Sequence, residues 1–249
     1  MQRYFINEDY QVKALYQTEG NDYHHMIRVM RMAVGDQVYL AFSNQVSIIA
    51  EITEILEDRV ELKEIAKEEQ TKELPVQITI ASGYPKGDKL DLIFQKATEL
   101  GAHDLIGFPA QSSVVKWDDK KLQKKQQRLS KIVEEAAEQS HRQLVPNVTL
   151  YATKEAFYQQ LPTYDQIIVA YEESAKQGEK SRLAQVFQAL QPGQRVLAIF
   201  GPEGGLTAKE IETFTQAGAH LCGLGPRILR CETAPLYLLG AASYQFELQ

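Results

Sequence analysis

The 249-residue chain has only two cysteines, Cys222 and Cys231, and a single tryptophan. Two thiols give neither a disulfide framework nor a metal-binding spacing, so they read as a reduced pair. No hydrophobic run approaches the length of a membrane span, and the opening MQRYFINEDY lacks the charged-then-apolar layout of a signal peptide. A cytoplasmic protein with no membrane association is expected. Positive charge is not in excess either: the formal net charge is −6, which argues against indiscriminate coating of nucleic acid but leaves room for a local basic patch. Both G-x-G-x-x-G and a Gly-Lys-Ser/Thr phosphate loop are missing. No group of His, Cys, Asp and Glu has ligand spacing, so no metal is expected.

What is present divides into two parts. Residues 1–74 hold 8 Lys/Arg against 14 Asp/Glu, leaving 19 against 19 in the remainder, so the acidity belongs to the first part. There DQVYLAF, SIIAEITEIL and RVELKEI partly alternate apolar with polar residues, with turn-prone SNQ and EDR between them, and predict a small antiparallel barrel or sheet. The charged stretch AKEEQTKELP (66–75) reads as a linker, which places a boundary near residue 72. Beyond it the rhythm becomes strand, helix, strand. VQITIAS, AHDLIGFPA, NVTLYA, DQIIVAY, RVLAIF and AHLCGLG read as strands, and helical patterns separate them. KLDLIFQKATEL carries one apolar stripe, and a longer helix from about Asp118 to Ser140 has a Lys/Arg-rich first half. This is the signature of a parallel α/β sheet. The last helix, roughly Glu232 to Phe246, is apolar nearly all round, which fits burial in the domain or, preferably, a homodimer interface.

Two glycine-bearing turns stand out. FGPEGGLTAKEI (200–211) follows the strand RVLAIF and opens a helix for which Thr207 and Glu210 form a capping box. LGPRILRCETAPL (224–236) again follows a strand and again enters a helix. Ligands of open α/β sheets bind beyond the carboxyl ends of strands, so two such turns predict one pocket walled by backbone groups. Glu203 would repel a pyrophosphate, whereas backbone amides and carbonyls suit a flat neutral heterocycle such as adenine.

These turns, with PKGDKLDLIFQKATELG (85–101), SSVVKWD (112–118) and AAEQSHR (136–142), resemble the ribosomal RNA small-subunit methyltransferase E family. RYF (3–5) and HHMIRVMRMAVGD (24–36) resemble that family's N-terminal PUA-like RNA-binding domain, so the resemblance covers essentially the whole chain. Two departures are visible: SHR at 140–142 and QSS at 111–113 stand where the family pattern has Ser-Gly-Arg and Glu-Arg-Ser, which leaves no basic residue at position 112. The resemblance implies a PUA-like β-barrel over residues 1–72 and a SPOUT-class α/β domain over 73–249. In that class the cofactor loops form a deep trefoil knot, a rare exception to the rule that chains do not thread. It also implies an S-adenosylmethionine-dependent enzyme that methylates N3 of a uridine in 16S ribosomal RNA, on the assembled small subunit, and acts as a homodimer through the C-terminal domain.

By the same resemblance the cofactor is held by Ala170, Tyr171 and Glu172, by Phe200, Gly201, Pro202, Glu203, Gly204 and Gly205, and by Leu224, Gly225, Ile228, Leu229, Arg230, Thr233 and Ala234. An N3 imide is a poor nucleophile until deprotonated, so the site needs a proton acceptor or a cation that favours the uridine anion. Glu203 and Arg230 are the candidates, with Arg227 the alternative cation. Thr233 is equally a candidate cap for the last helix. RNA contacts are expected from Arg3, His24, Arg28 and Arg31 in the first part, and from Lys86, Lys89, Lys116, Arg142 and Arg227 in the second. A non-catalytic ribosome-assembly factor, or methylation of a ribose or of transfer RNA, would use the same fold.

Overall fold

In the computed structural model, described over residues 1–171 and 182–249, the chain divides into two compact units. One comprises Met1–Glu73 with Ala137–Val145, the other Leu74–Ala136 with Pro146–Gln249.

The first unit is a five-stranded sheet of β1 (Gln2–Ile6), β2 (Tyr16–Glu19), β3 (Gln37–Phe42), β4 (Ser47–Ile55) and β5 (Arg59–Lys67) in the order β1-β3-β4-β5-β2. The three alternating segments form β3, β4 and β5, and their inward residues Val38, Leu40, Ile48, Ala50, Ile52, Val60 and Leu62 are the core. Only β1 departs from the antiparallel expectation, since it runs parallel to β3. A short helix, α1 (Gly20–His24), continues into a π-helical turn over His25–Val29 and drops Met26 into that core.

The stretch expected to be a linker is held firmly. β5 runs to Lys67, and Glu68 accepts two hydrogen bonds of 2.8 Å from the Arg3 guanidinium. Arg3 also donates to Ser47 at 2.8 Å and lies over the Tyr39 ring. Glu73 pairs with Arg142, accepting from its Nε at 2.9 Å and from the Gln143 amide at 2.8 Å. Both arginines are buried. A buried charge is tolerated only when it is paired and hydrogen-bonded, so these two carboxylates fix the segment in place.

In the second unit β6 (Gln77–Gly83), β7 (Asp104–Phe108), β8 (Asn147–Leu150), β9 (Gln166–Ala170), β10 (Arg195–Phe200) and β11 (His220–Cys222) form a wholly parallel sheet, ordered β11-β9-β10-β6-β7-β8. Among the described residues the α-helices are α2 (Lys89–Glu99), α3 (Asp119–Gln139), α4 (Lys154–Tyr158), α5 (Arg182–Ala189), α6 (Ala208–Gln216) and α7 (Ala234–Glu247). The strands are near-continuous apolar runs because a parallel sheet is covered on both faces, and β10 buries every residue after Arg195. Because β9 lies between β11 and β10, the carboxyl ends of three adjacent strands lie side by side.

Helix α3 buries Leu122, Leu129, Val133 and Ala136 on the expected face. Its outer face is unusual, because Lys120 and Lys124, Lys121 and Lys125, and Lys124 and Arg128 are like-charged pairs four residues apart. Each such pair weakens a helix by about 0.2–0.5 kcal/mol. Helix α7 buries Pro235, Leu238, Leu239 and Ala242 but leaves Tyr237, Gly240 and Tyr244 exposed, with Leu248 just beyond its end, so its apolar surface is only half covered within the chain.

Candidate active site

Beyond Phe200, the last residue of β10, the chain turns back on itself. The Gly205 amide donates to the Pro202 carbonyl at 2.8 Å, and Gly205 takes φ = 70°. The two limbs of the turn touch through backbone: a Cβ placed on Gly201 would lie 2.8 Å from the Gly205 carbonyl carbon. Gly83, at the end of β6, makes room on the other side, since its Cβ would meet Pro202 at 2.6 Å. Glycine is therefore required here by close approach of main chain and ring.

The capping box of α6 forms as the sequence suggests, with the Thr207 side chain and Glu210 satisfying each other's backbone amides. Glu210 does more than cap. Its carboxylate is buried and accepts from Thr207 N and Oγ1 at 2.8 Å and from the Gln111 amide at 2.9 Å. Ser112 beside it donates to the Gly205 carbonyl. The 111–113 segment, where the sequence departs from the family pattern, thus braces the turn from outside.

The second turn, after β11, is held differently. The Arg230 carbonyl accepts from the Thr233 and Ala234 amides at 2.9 and 3.0 Å, leading into α7. Ile228 is 75% exposed, and the Arg230 side chain is 84% exposed with Nη1 4.0 Å from Glu232. Thr233 does not cap α7 with its side chain, contrary to the alternative reading of that residue.

Between the two turns lies a cavity of about 670 Å³. Ala170, Tyr171, Phe200 through Gly205, Leu224, Gly225, Ile228, Leu229, Arg230 and Ala234 line it, as expected from the sequence. Thr233 is not part of the lining, and Glu172 lies outside the described residues. Leu206, Arg227, Lys89 and Cys231 line it as well. By sequence Arg227 and Lys89 are RNA candidates, because nothing in the local spacing separates a phosphate-facing lysine from a cavity-facing one.

Lys89, from the first turn of α2, ties the two turns together. Its ammonium lies 2.8 Å from Glu203 on the first turn and 3.4 Å from Glu232 on the second. Glu203 also accepts from the Lys86 amide at 3.2 Å. Partial burial raises the Glu203 pKa, but the Lys89 hydrogen bond and the backbone amides outweigh it and hold the carboxyl below its ordinary range. Glu232 is lowered as well: burial opposes ionisation, while its own amide, the Cys231 thiol and Lys89 favour it. The hydrogen bond to Glu203, with the surrounding negative charge, pushes Lys89 up. Burial, then the hydrogen bond to Glu232, raises the Cys231 thiol to about 11. Glu203 is accordingly a fixed negative charge and a weak proton acceptor.

Apart from Lys89, the sites assigned to RNA separate into two groups. Exposed on their respective units are His24, Arg28, Arg31, Lys86, Lys116 and Arg227. Arg3 and Arg142 are corrected: both guanidiniums are buried in ion pairs with carboxylates, so they brace the first unit and do not reach a phosphate. Their motif segments give no sign of the partner acids 65 and 69 residues away.

Comparison with known proteins agrees with this architecture. A family model described as an RNA methyltransferase domain matches residues 72–243, and an RNA methyltransferase PUA domain model matches 18–65. A ribosomal RNA small subunit methyltransferase E from Bacillus subtilis is 47% identical over 251 aligned residues, covering 100% of this chain and 98% of the relative. The chain belongs to the ribosomal RNA small subunit methyltransferase E family. Another member, from Synechocystis, is 33% identical over 87% of this chain and 68% of its own length. Among solved structures, the family's enzyme from Neisseria gonorrhoeae, bound to S-adenosyl methionine, is 25% identical with a TM-score of 0.80 over 99% of this chain and 98% of that one. A crystal structure of a hypothetical protein reaches 44% identity and a TM-score of 0.93 over 99% of both chains. The family therefore has a PUA-like domain followed by a SPOUT-type parallel α/β domain, as the sequence implies.

Proposed function

We propose that this chain is an S-adenosylmethionine-dependent methyltransferase that modifies N3 of a uridine in 16S ribosomal RNA on the assembled small subunit, in the cytoplasm. The observation that carries the reading is the cavity between the two turns. It lies between two glycine-bearing turns, has glycines at 201 and 204 where a Cβ would collide, and offers no lysine-bearing phosphate loop. Those features fit the cofactor: the volume is that of a small-molecule site, the backbone suits a neutral base, and the Glu203 carboxylate on the lining complements a sulfonium cation. When bound, the cofactor supplies an already electrophilic methyl group, so no metal is needed.

The chain's own residues then align and polarise. Lys89 keeps Glu203 ionised and sets the spacing of the two turns. Held as an anion below its usual range, Glu203 acts by position and charge. Arg230 extends from the cavity wall into solvent and favours the uridine anion without giving up its own proton. Bringing two reactants into register accounts for much of the remaining acceleration. Following the family, the loops after β9, β10 and β11 are assigned to the trefoil knot. Tyr237, Gly240 and Tyr244 on the open face of α7, with Leu248 beyond its end, are assigned to a homodimer contact.

The test is incubation with radiolabelled S-adenosylmethionine and either unmodified small subunits or free 16S RNA, followed by nucleoside analysis. Labelled 3-methyluridine from the subunits is expected. Label in a ribose, or only in transfer RNA, would overturn the base assignment. Cofactor binding without transfer to any RNA would favour an assembly factor.

A further inference from the structure

We propose that the N-terminal half of α3, through Lys120, Lys121 and Lys124 with Lys116, Lys86 and the half-exposed Trp117, is a track for the RNA phosphate backbone leading to the mouth of the cavity. The inference rests on the methyltransferase reading and adds the surface along which the substrate lies.

Three observations carry it. First, the charge is uncompensated: among the described residues, these five lysines have no carboxylate in ion-pair range, whereas the flanking Lys125 and Arg128 are paired with Asp88 at 3.7 Å and Asp91 at 2.7 Å. Second, the arrangement opposes the helix's own stability, because the basic residues repel one another across successive turns instead of alternating with acids. Within α3 the first half carries one acid, Asp119 at its first residue, and the others, Glu134, Glu135 and Glu138, come in the second half. A repulsive ladder is relieved by a polyanion laid across it. Third, the two ion pairs pin this half of α3 against the first turn of α2, where Lys89 lines the cavity, so the basic face borders the site. Trp117, packed on Tyr84 at 4.3 Å with Lys125 over its ring, marks the junction. The exposed residues among the lysines are Asp118 and Asp119 at the start of the helix and then Gln123, Gln126 and Gln127, with no apolar wedge, which suits a nucleic-acid backbone better than a lipid surface.

The experiment compares the full-length protein with K120Q/K121Q/K124Q and K120R/K121R/K124R. Binding to small-subunit RNA is measured across a salt series, together with S-adenosylmethionine affinity by calorimetry and thermal melting. For the glutamine variant we expect RNA affinity roughly tenfold weaker and a log–log salt slope shallower by roughly 2, about 0.7 for each phosphate no longer neutralised. Cofactor affinity should not change, and the melting temperature should be equal or higher because the repulsion is gone. The arginine variant should keep the wild-type slope. A glutamine variant with the wild-type slope and affinity overturns the track while leaving the methyltransferase reading intact. Loss of cofactor binding or a lower melting temperature in that variant also overturns it, since the lysines would then be structural. A wild-type protein that neither binds nor methylates ribosomal RNA removes the functional reading and the track with it.

Discussion

The two turns that wall the cavity are built on opposite plans. The 200–205 turn is fixed from every side: Gly201 touches Gly205 through main chain, Pro202 fills the space left by Gly83, and buried Glu210 and Ser112 brace it from outside. The 224–233 turn has two bonds to the Arg230 carbonyl, an exposed Ile228 and Arg230, and the Lys89 bridge to Glu232. One wall is preorganised and the other can adapt, with a lysine setting the distance between them. In a site that must hold a cofactor and admit a nucleotide, that division separates recognition from access.

The sharpest way to break the contrast is Gly201→Ala. The obstructing atoms are backbone, so S-adenosylmethionine affinity should fall between roughly ten- and a hundredfold by calorimetry. The same substitution at Gly225 meets nothing closer than the Tyr237 hydroxyl at 3.7 Å, but its φ of 88° disfavours alanine, so a smaller loss is expected there. Glu210→Ala tests the external brace. It strands the Gln111 and Thr207 amides and removes a cap, for a loss of about 2 kcal/mol in chemical denaturation of the second unit. Lys89→Met removes the bridge between the walls and leaves the adaptable one without that tether, so cofactor affinity should drop roughly threefold and Lys89→Arg should largely restore it. An effect as large as that of Gly201→Ala would show that the second wall is as rigid as the first.

The pH dependence sharpens the point from the side of charge. Glu203 and Glu232 have folded-state pKa values lowered from 4.5, so what they contribute is present above that value and lost as pH falls through the depressed ones. Cofactor affinity should therefore be flat through neutrality and decline only in acid, below about pH 4.5. The smallest effect is expected at Cys231. With its thiol pushed up to about 11, alkylation by iodoacetamide at pH 8 should be slower than that of an ordinary exposed cysteine, as followed by mass spectrometry.

Most of the fold is legible because strands and helices leave local periodicity. The segments DQVYLAF through RVLAIF become β3 through β10, and FGPEGG with LGPRILR become the cavity walls because glycine, proline and a capping box are local signals too. What stays hidden depends on partners distant in sequence. Nothing near Arg3 or Arg142 foretells Glu68 or Glu73, so both read as RNA contacts, and the charged stretch containing those acids reads as a loose connection. Lys89 escapes for the same reason, since its two acids are contributed by turns more than a hundred residues downstream.

The return of residues 137–145 to the first unit has a consequence for how the protein is made. Glu73 and Lys72 find Arg142 and Gln143 only after β6, α2, β7 and α3 have been synthesised. At a synthesis rate of roughly 5–20 residues per second, the five-stranded unit waits on the order of ten seconds for its last piece. During that interval a nascent chain carries an unpaired Glu73. The order of translation therefore differs from the order of assembly, and a chain released at residue 73 would lack the arginine that closes its own first unit.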